Sequence, residues 1–207
     1  MENLDLNKIK KQHGTGLGNL WKLYPKSKLY KGGRWPLILA LVLNIGFAFS
    51  KTNIVIHLAE IANIATSIYP SLLGFLLGGY TIFIGFGNKD LLLKTTKYVE
   101  GEEISFFQAL SMLFGLSILL HALTLICAIF IKLSLTINLN VSLETALLLF
   151  SVVNYIATFL ILFMLFYSLC VIKDVVVNIF GFSQLYHQVL FIERVKKESD
   201  HQQGAND

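Results

Sequence analysis

The chain has 207 residues, 55% of them hydrophobic and 14% charged, with a mean hydropathy of +0.64 and a formal net charge of +4. Soluble domains carry roughly 25% charged residues, so the apolar excess is more than a core of this size can hide, and an ordinary water-soluble globule is excluded. The pattern reads as an all-α integral membrane protein with four transmembrane helices and a cytoplasmic C-terminal amphipathic helix, divided at 1–34, 35–172, 173–197 and 198–207.

Residues 1–34 form a basic arm without the apolar core of a cleavable signal peptide. Its GTGLG run lacks the preceding strand and the third glycine of a dinucleotide-binding turn. Towards the membrane, Trp21, Lys22, Lys26, Lys28, Arg34 and Trp35 mix aromatic rings with cations, which suits the headgroup layer of an anionic leaflet better than nucleic acid. The first span is expected to begin at Trp35 and Pro36 and to continue past Lys51, with that lysine reaching outward; Asn44 lies mid-span and should face a neighbouring helix.

Residues 51–68 allow two readings, an external amphipathic helix or the extended ends of two spans. Ile54, Leu58, Ile61, Ala65 and Ile68 share one face, while Asn53, His57, Glu60 and Asn63 gather elsewhere as a solvated face. Pro70 starts or kinks the second span, which runs to about residue 86. Within it Ser71, Gly74, Gly78, Thr81 and Gly85 recur at steps of three and four, a helix-packing stripe containing a GxxxG. The loop at 89–103 has a basic half and an acidic half.

The third span, 105–131, carries small and polar residues on two lines, one of which holds Ser117, His121, Thr124 and Ala128. His121 lies eleven residues before Lys132, about 16 Å along a helix and near mid-membrane. The fourth span is expected at 145–172. Measured from Glu144, Asn154 falls at a similar depth to His121, so the two are expected to hydrogen-bond within an intramembrane polar seam of His121, Asn154 and Thr158. Beyond Lys173 and Asp174, residues Val175, Ile179, Phe182, Tyr186 and Val189 step by four and three, as on a cytoplasmic amphipathic helix.

Of the 17 Lys and Arg residues, all but Lys51 and Lys132 fall in segments on one side of this topology. Both termini are therefore expected in the cytoplasm of an inner-membrane protein. Cys127 and Cys170, near opposite faces, read as apolar packing residues. No HExxH, GxSxG, Walker or CxxC motif occurs, and the spans contain no aspartate, so neither catalysis, a cofactor nor a metal site is expected.

The PSLLGFLLGGYTIFIGFGNKD stretch and the polar third span, with the basic arm and amphipathic tail around them, resemble small four-span membrane subunits of prokaryotic phage-defence operons. That resemblance implies a homo-oligomeric membrane protein that either opens a gated pore as an effector or acts as a sensor coupled to a cytoplasmic protein partner. A non-conducting anchor subunit and a small transporter are the alternative readings.

Overall fold

The computed structural model describes residues 16–18, 20, 24, 26–85, 105–137 and 144–204. Trp21, Lys22 and the loop at 89–103 lie outside them, and of the Lys28 side chain nothing is described. Four long helices follow one another: α1 Lys26–Ala48, α2 Ile54–Gly85, α3 Phe106–Leu135 and α4 Glu144–Gly204. Three of them, α2, α3 and the part of α4 from Leu148 to Val195, are long and apolar enough to cross a membrane. The apolar run of α1 is shorter, since its first turns hold Lys26, Lys31 and Arg34.

Helix α1 departs from expectation at both ends. It begins at Lys26, so Pro36 lies inside the helix, and it stops at Ala48 instead of running past Lys51. A tight turn follows, in which the Thr52 amide donates to Ser50 Oγ and the Val55 amide to Asn53 Oδ1. The Asn53 side chain thus occupies one of the amides that a helix start leaves unpaired. His57 closes the hairpin, stacked on Phe47 at 4.2 Å with Nε2 3.3 Å from Ser50 Oγ. It belongs to the turn, and Glu60 remains exposed.

Residues 54–68 are the first half of a continuous α2, with Pro70 inside it. Ile54, Leu58, Ile61 and Ala65 are buried as their spacing requires, but the face continues to Tyr69; Ile68 is exposed. Helix α3 starts on a reciprocal capping box, in which the Gln108 amide donates to Ser105 Oγ and the Ser105 amide to Gln108 Oε1.

The largest departure is α4. It runs for 61 residues through the expected boundary at Lys173, about 90 Å of helix against a hydrocarbon core of about 30 Å. The amphipathic helix expected at 173–197 is its continuation. The two apolar patterns are one face, since Asn154, Thr158, Ile161, Ser168, Val171 and Val175 are all buried. Phe182 continues that face with its ring 5.1 Å from Phe83. Charged Lys173 and Asp174 sit to the side of the face and pair with each other at 3.3 Å. With no proline within α4, nothing in the backbone stops the helix there.

Ring contacts set the register. Phe83 of α2 lies near Phe107 of α3, and Tyr69 near His121, so α2 and α3 are antiparallel. Tyr69 also reaches Ser168, and Phe83 meets Phe182, so α2 and α4 run in the same direction. Helix α1 lies antiparallel on α4, with Gly32 and Gly33 facing the Tyr167 ring. Helix α4 contacts all three others, whereas α1 barely meets α2.

One core cluster joins Ala40, Leu58, Ile61, Ala62, Ala65, Tyr69, Ala128, Ile161 and Leu162. The other joins Leu76, Leu110, Leu113, Phe114, Val171 and Val175. The small residues that bring helices together within the chain are thus alanines, of which Ala40, Ala62, Ala65 and Ala128 are fully buried. Phe114 is 1% exposed and Phe130 70%. Phe114→Ala is expected to destabilise the detergent-solubilised protein by about 3–5 kcal/mol, whereas Phe130→Ala should change its unfolding midpoint little; denaturant titration of both variants compares the two.

Candidate functional site

Polar residues of the interior do not gather into one seam. His121, Ser117 and Thr124 are buried on α3, and Asn154, Thr158 and Ser168 on α4. The α3–α4 register places Phe106 beside Phe182 and brings the level of His121 to Ser168 through their shared neighbour Tyr69. Asn154 lies fourteen residues earlier on α4, about 21 Å away along the axis. The expected His121–Asn154 hydrogen bond is therefore not made. Lys132 and Glu144 do not mark one common depth, so counting from each of them misaligned the two helices.

Most of these groups satisfy themselves on their own helix. Thr158 Oγ1 donates to the Asn154 carbonyl at 2.7 Å, Thr124 Oγ1 to Leu120 at 2.8 Å and Ser168 Oγ to Leu165 at 2.9 Å. Such bonds to the preceding turn let a hydroxyl enter an apolar interior without a partner on another helix. His121 Nδ1 donates to the Ser117 carbonyl at 2.7 Å, because a carbonyl only accepts. Its Nε2, together with Ser117 Oγ, is buried with no hydrogen-bond partner among the described residues.

Tyr69 carries the crossing bond. Its hydroxyl donates to the Leu165 carbonyl at 3.1 Å and lies 2.5 Å from Ser168 Oγ, and its ring tilts against His121 at 5.1 Å. It joins α2, α3 and α4 at one point. Sequence reasoning passed over it, although a tyrosine one helical turn beyond Ala65 on a buried face, immediately before a proline, was the available signal. Pro70 has no amide proton and leaves the Thr66 carbonyl without its helical donor, while the Thr66 hydroxyl turns back to Ala62 and Asn63.

The packing stripe faces outward. Ser71, Gly74, Gly78, Thr81 and Gly85 are all exposed, and a Cβ added at Gly74, Gly78 or Gly85 would meet nothing within 4 Å. Among the described residues the three glycines of the stripe face no other helix. Gly79, one step round the helix, faces Phe114 at 3.7 Å.

Two clefts open where α1 meets α4. The first, about 380 Å³, lies between α1, α3 and α4, with Tyr24, Lys31, Lys173, Asp174 and Asn178 at its rim. Burial, and secondarily the Asp174 carboxylate, pushes the Tyr24 phenol up from its ordinary value. The second, about 460 Å³, is bounded by α1 and α4 alone and holds Lys26, Arg34 and the anchoring aromatics considered below. Trp35 stands exposed beside it. Cys127 and Cys170 are both free thiols, half-buried in the packing.

No protein-family model, curated protein or solved structure matches the chain.

Because Tyr69 and Ser168 share one interaction, their substitutions should be strongly non-additive. Tyr69→Phe is expected to cost about 0.5–2 kcal/mol, and Ser168→Ala should add little once the tyrosine hydroxyl is gone. A double-mutant cycle on unfolding in detergent measures the coupling; full additivity would mean that the two hydroxyls do not act together.

Proposed function

We propose that this chain is a four-span inner-membrane protein with cytoplasmic termini. It assembles with copies of itself and transmits a change in the membrane bundle to a cytoplasmic partner through α4. The observation that carries this reading is the unbroken α4. After Phe182, its last ring contact with another helix among the described residues, it continues for 22 residues to Gly204, about 33 Å. A helix packed against three others along one part and extending well beyond Phe182 moves its far end whenever the bundle repacks.

Two belts of polar groups support the membrane placement. Lys31, Lys173 and Asp174 share the rim of one cleft with Ala109, Met112 and Leu113. About 19 residues beyond Leu113 on α3 comes Lys132, and a similar step from Lys31 reaches Lys51 in the turn after α1, which matches the roughly 20 residues of a spanning helix. Between the belts the outer surface is apolar, with Val42, Ile45, Ile64, Phe75, Ile126 and Val153 exposed. In water such a surface would be an aggregation liability; in lipid it is the expected exterior. On this reading α1 is the fourth span despite its shorter apolar run.

The outward stripe supports self-association, since glycines with open space above them let a second helix approach closely. The bundle interior is filled by Tyr69, Phe114, Leu116 and Ile161. Any conducting path would therefore run between protomers, and the effector or sensor role implied by the phage-defence resemblance would rest on assembly. The same filled interior favours a sensor or anchor over a single-chain transporter.

Leu76 is buried within the chain at 1% exposure, whereas Leu77 is 51% exposed, so Leu77→Ile is the proper control for the stripe. Gly78→Ile is expected to weaken self-association at least about tenfold, roughly 1.4 kcal/mol, while leaving the fold intact. Native mass measurement in detergent reads the oligomer, and equal masses for Gly78→Ile and wild type would remove the stripe as its contact.

A further inference from the structure

The groove between α1 and α4 has one apolar end. On α1, Lys26, Leu29, Tyr30, Gly33, Arg34 and Leu37 recur at steps of three, one, three, one and three, so a single helical face lines it. On α4, Phe163 and Tyr167 form its floor, their rings stacked at 5.7 Å and 5°. Following α1 from Lys26 to Leu37, about 16 Å, Lys26, Tyr30 and Arg34 alternate with Leu29 and Gly33 over roughly the first 12 Å, and the far end is Leu37 with Phe163. Among the described residues no carboxylate pairs with Lys26 or Arg34, and none lines the groove.

We propose that this groove is a binding site for one anionic glycerophospholipid of the inner leaflet. Its phosphate is held between Lys26 and Arg34, and an acyl chain lies over Gly33 and Leu37 on the Phe163–Tyr167 floor. Three features select that occupant. Two unneutralised cations, Lys26 and Arg34, complement a phosphodiester, and the guanidinium can offer it two parallel donors. The Leu37 end is apolar, so a free inorganic anion would leave it uncovered. Gly33 keeps the floor open, because its missing side chain leaves Tyr167 Cε2 3.9 Å from where a Cβ would stand. The lipid then completes the α1–α4 contact, the one broad contact that α1 makes: it barely meets α2, and among the described residues of α1 only Pro36 and Ala40 are buried.

The proposal rests on the membrane placement above, and alkaline carbonate extraction of membranes tests that placement separately for every variant. Delipidated full-length protein in detergent is titrated with phosphatidylglycerol or phosphatidylcholine, and bound lipid is counted by native mass spectrometry. Phosphatidylglycerol is expected to bind at least tenfold more tightly than phosphatidylcholine. The double variant Lys26→Gln, Arg34→Gln should lose that preference, and Lys51→Gln, Lys132→Gln, which removes the same charge elsewhere, should keep it. Equal binding of the two lipids would overturn the proposal, as would equal losses in the two double variants. Displacement of lipid by inorganic phosphate at equal concentration would replace it with a free-anion site. Conversion of an oligomer to monomer by Lys26→Gln, Arg34→Gln with lipid binding unchanged would assign the groove to a second copy.

Discussion

The inward face of α4 is the surface on which the rest of the molecule depends. From Asn154 to Phe182 it offers small and polar residues alternating with branched apolar ones, and α1, α2 and α3 all dock on it. In lipid there is no hydrophobic drive to bring helices together, so close approach and dispersion must do it. Thr158 and Ser168, each fully buried, keep that face narrow enough for Tyr69 and His121 to reach it. Their hydroxyls are harmless there because each bonds to its own preceding turn.

This division between apolar contact and self-satisfied polarity explains why Tyr69 stands out. Packing alone leaves the helices free to slide by a turn, since alanines on one helix fit many holes on another. The Tyr69 hydroxyl, committed to the Leu165 carbonyl and Ser168 Oγ, fixes α2 against α4 at one level. The aromatic group of Phe83, Phe106, Phe107 and Phe182 fixes it again near the other end. Two fixed points determine a register. The unpartnered His121 Nε2 lies beside the first of them, so one poorly satisfied group adjoins the contact that aligns three helices.

What the sequence made legible follows from what composition and period encode. Helical class, the apolar faces of α2 and α3 and the Ser105 start of α3 could all be read, because periodicity and a capping residue act locally. Depth could not, because Lys132, Lys173 and Glu144 were each treated as a membrane boundary, whereas long charged side chains reach the surface from several residues inside. The same habit cut α4 at Lys173, although the buried pattern passes from Ser168 to Val175 in a seven-residue step without changing face. The glycine stripe was legible as a surface of small residues, but not which partner it meets: sequence spacing describes one helix, and the in-chain contacts were taken by Ala62 and Ala65 on the other side of α2.

The placement of the two clefts bears on how the parts could work together. Both flank the start of α1, one holding the Lys173–Asp174 side of α4 and the other its Phe163–Tyr167 floor. Helix α1 is the least embedded of the four, and it grips α4 between Ile161 and Tyr167, before that helix reaches the Phe182 contacts with α2 and α3. A change in what fills the groove beneath Lys26 and Arg34 would shift α1 against Tyr167 before it disturbed the Tyr69 contact. On the proposed reading, lipid composition would then act on α4 through α1, while α2 and α3 hold the remaining register. Sensing and transmission would thereby be separated along a single helix: the membrane would be read at Tyr167, and the result carried past Phe182.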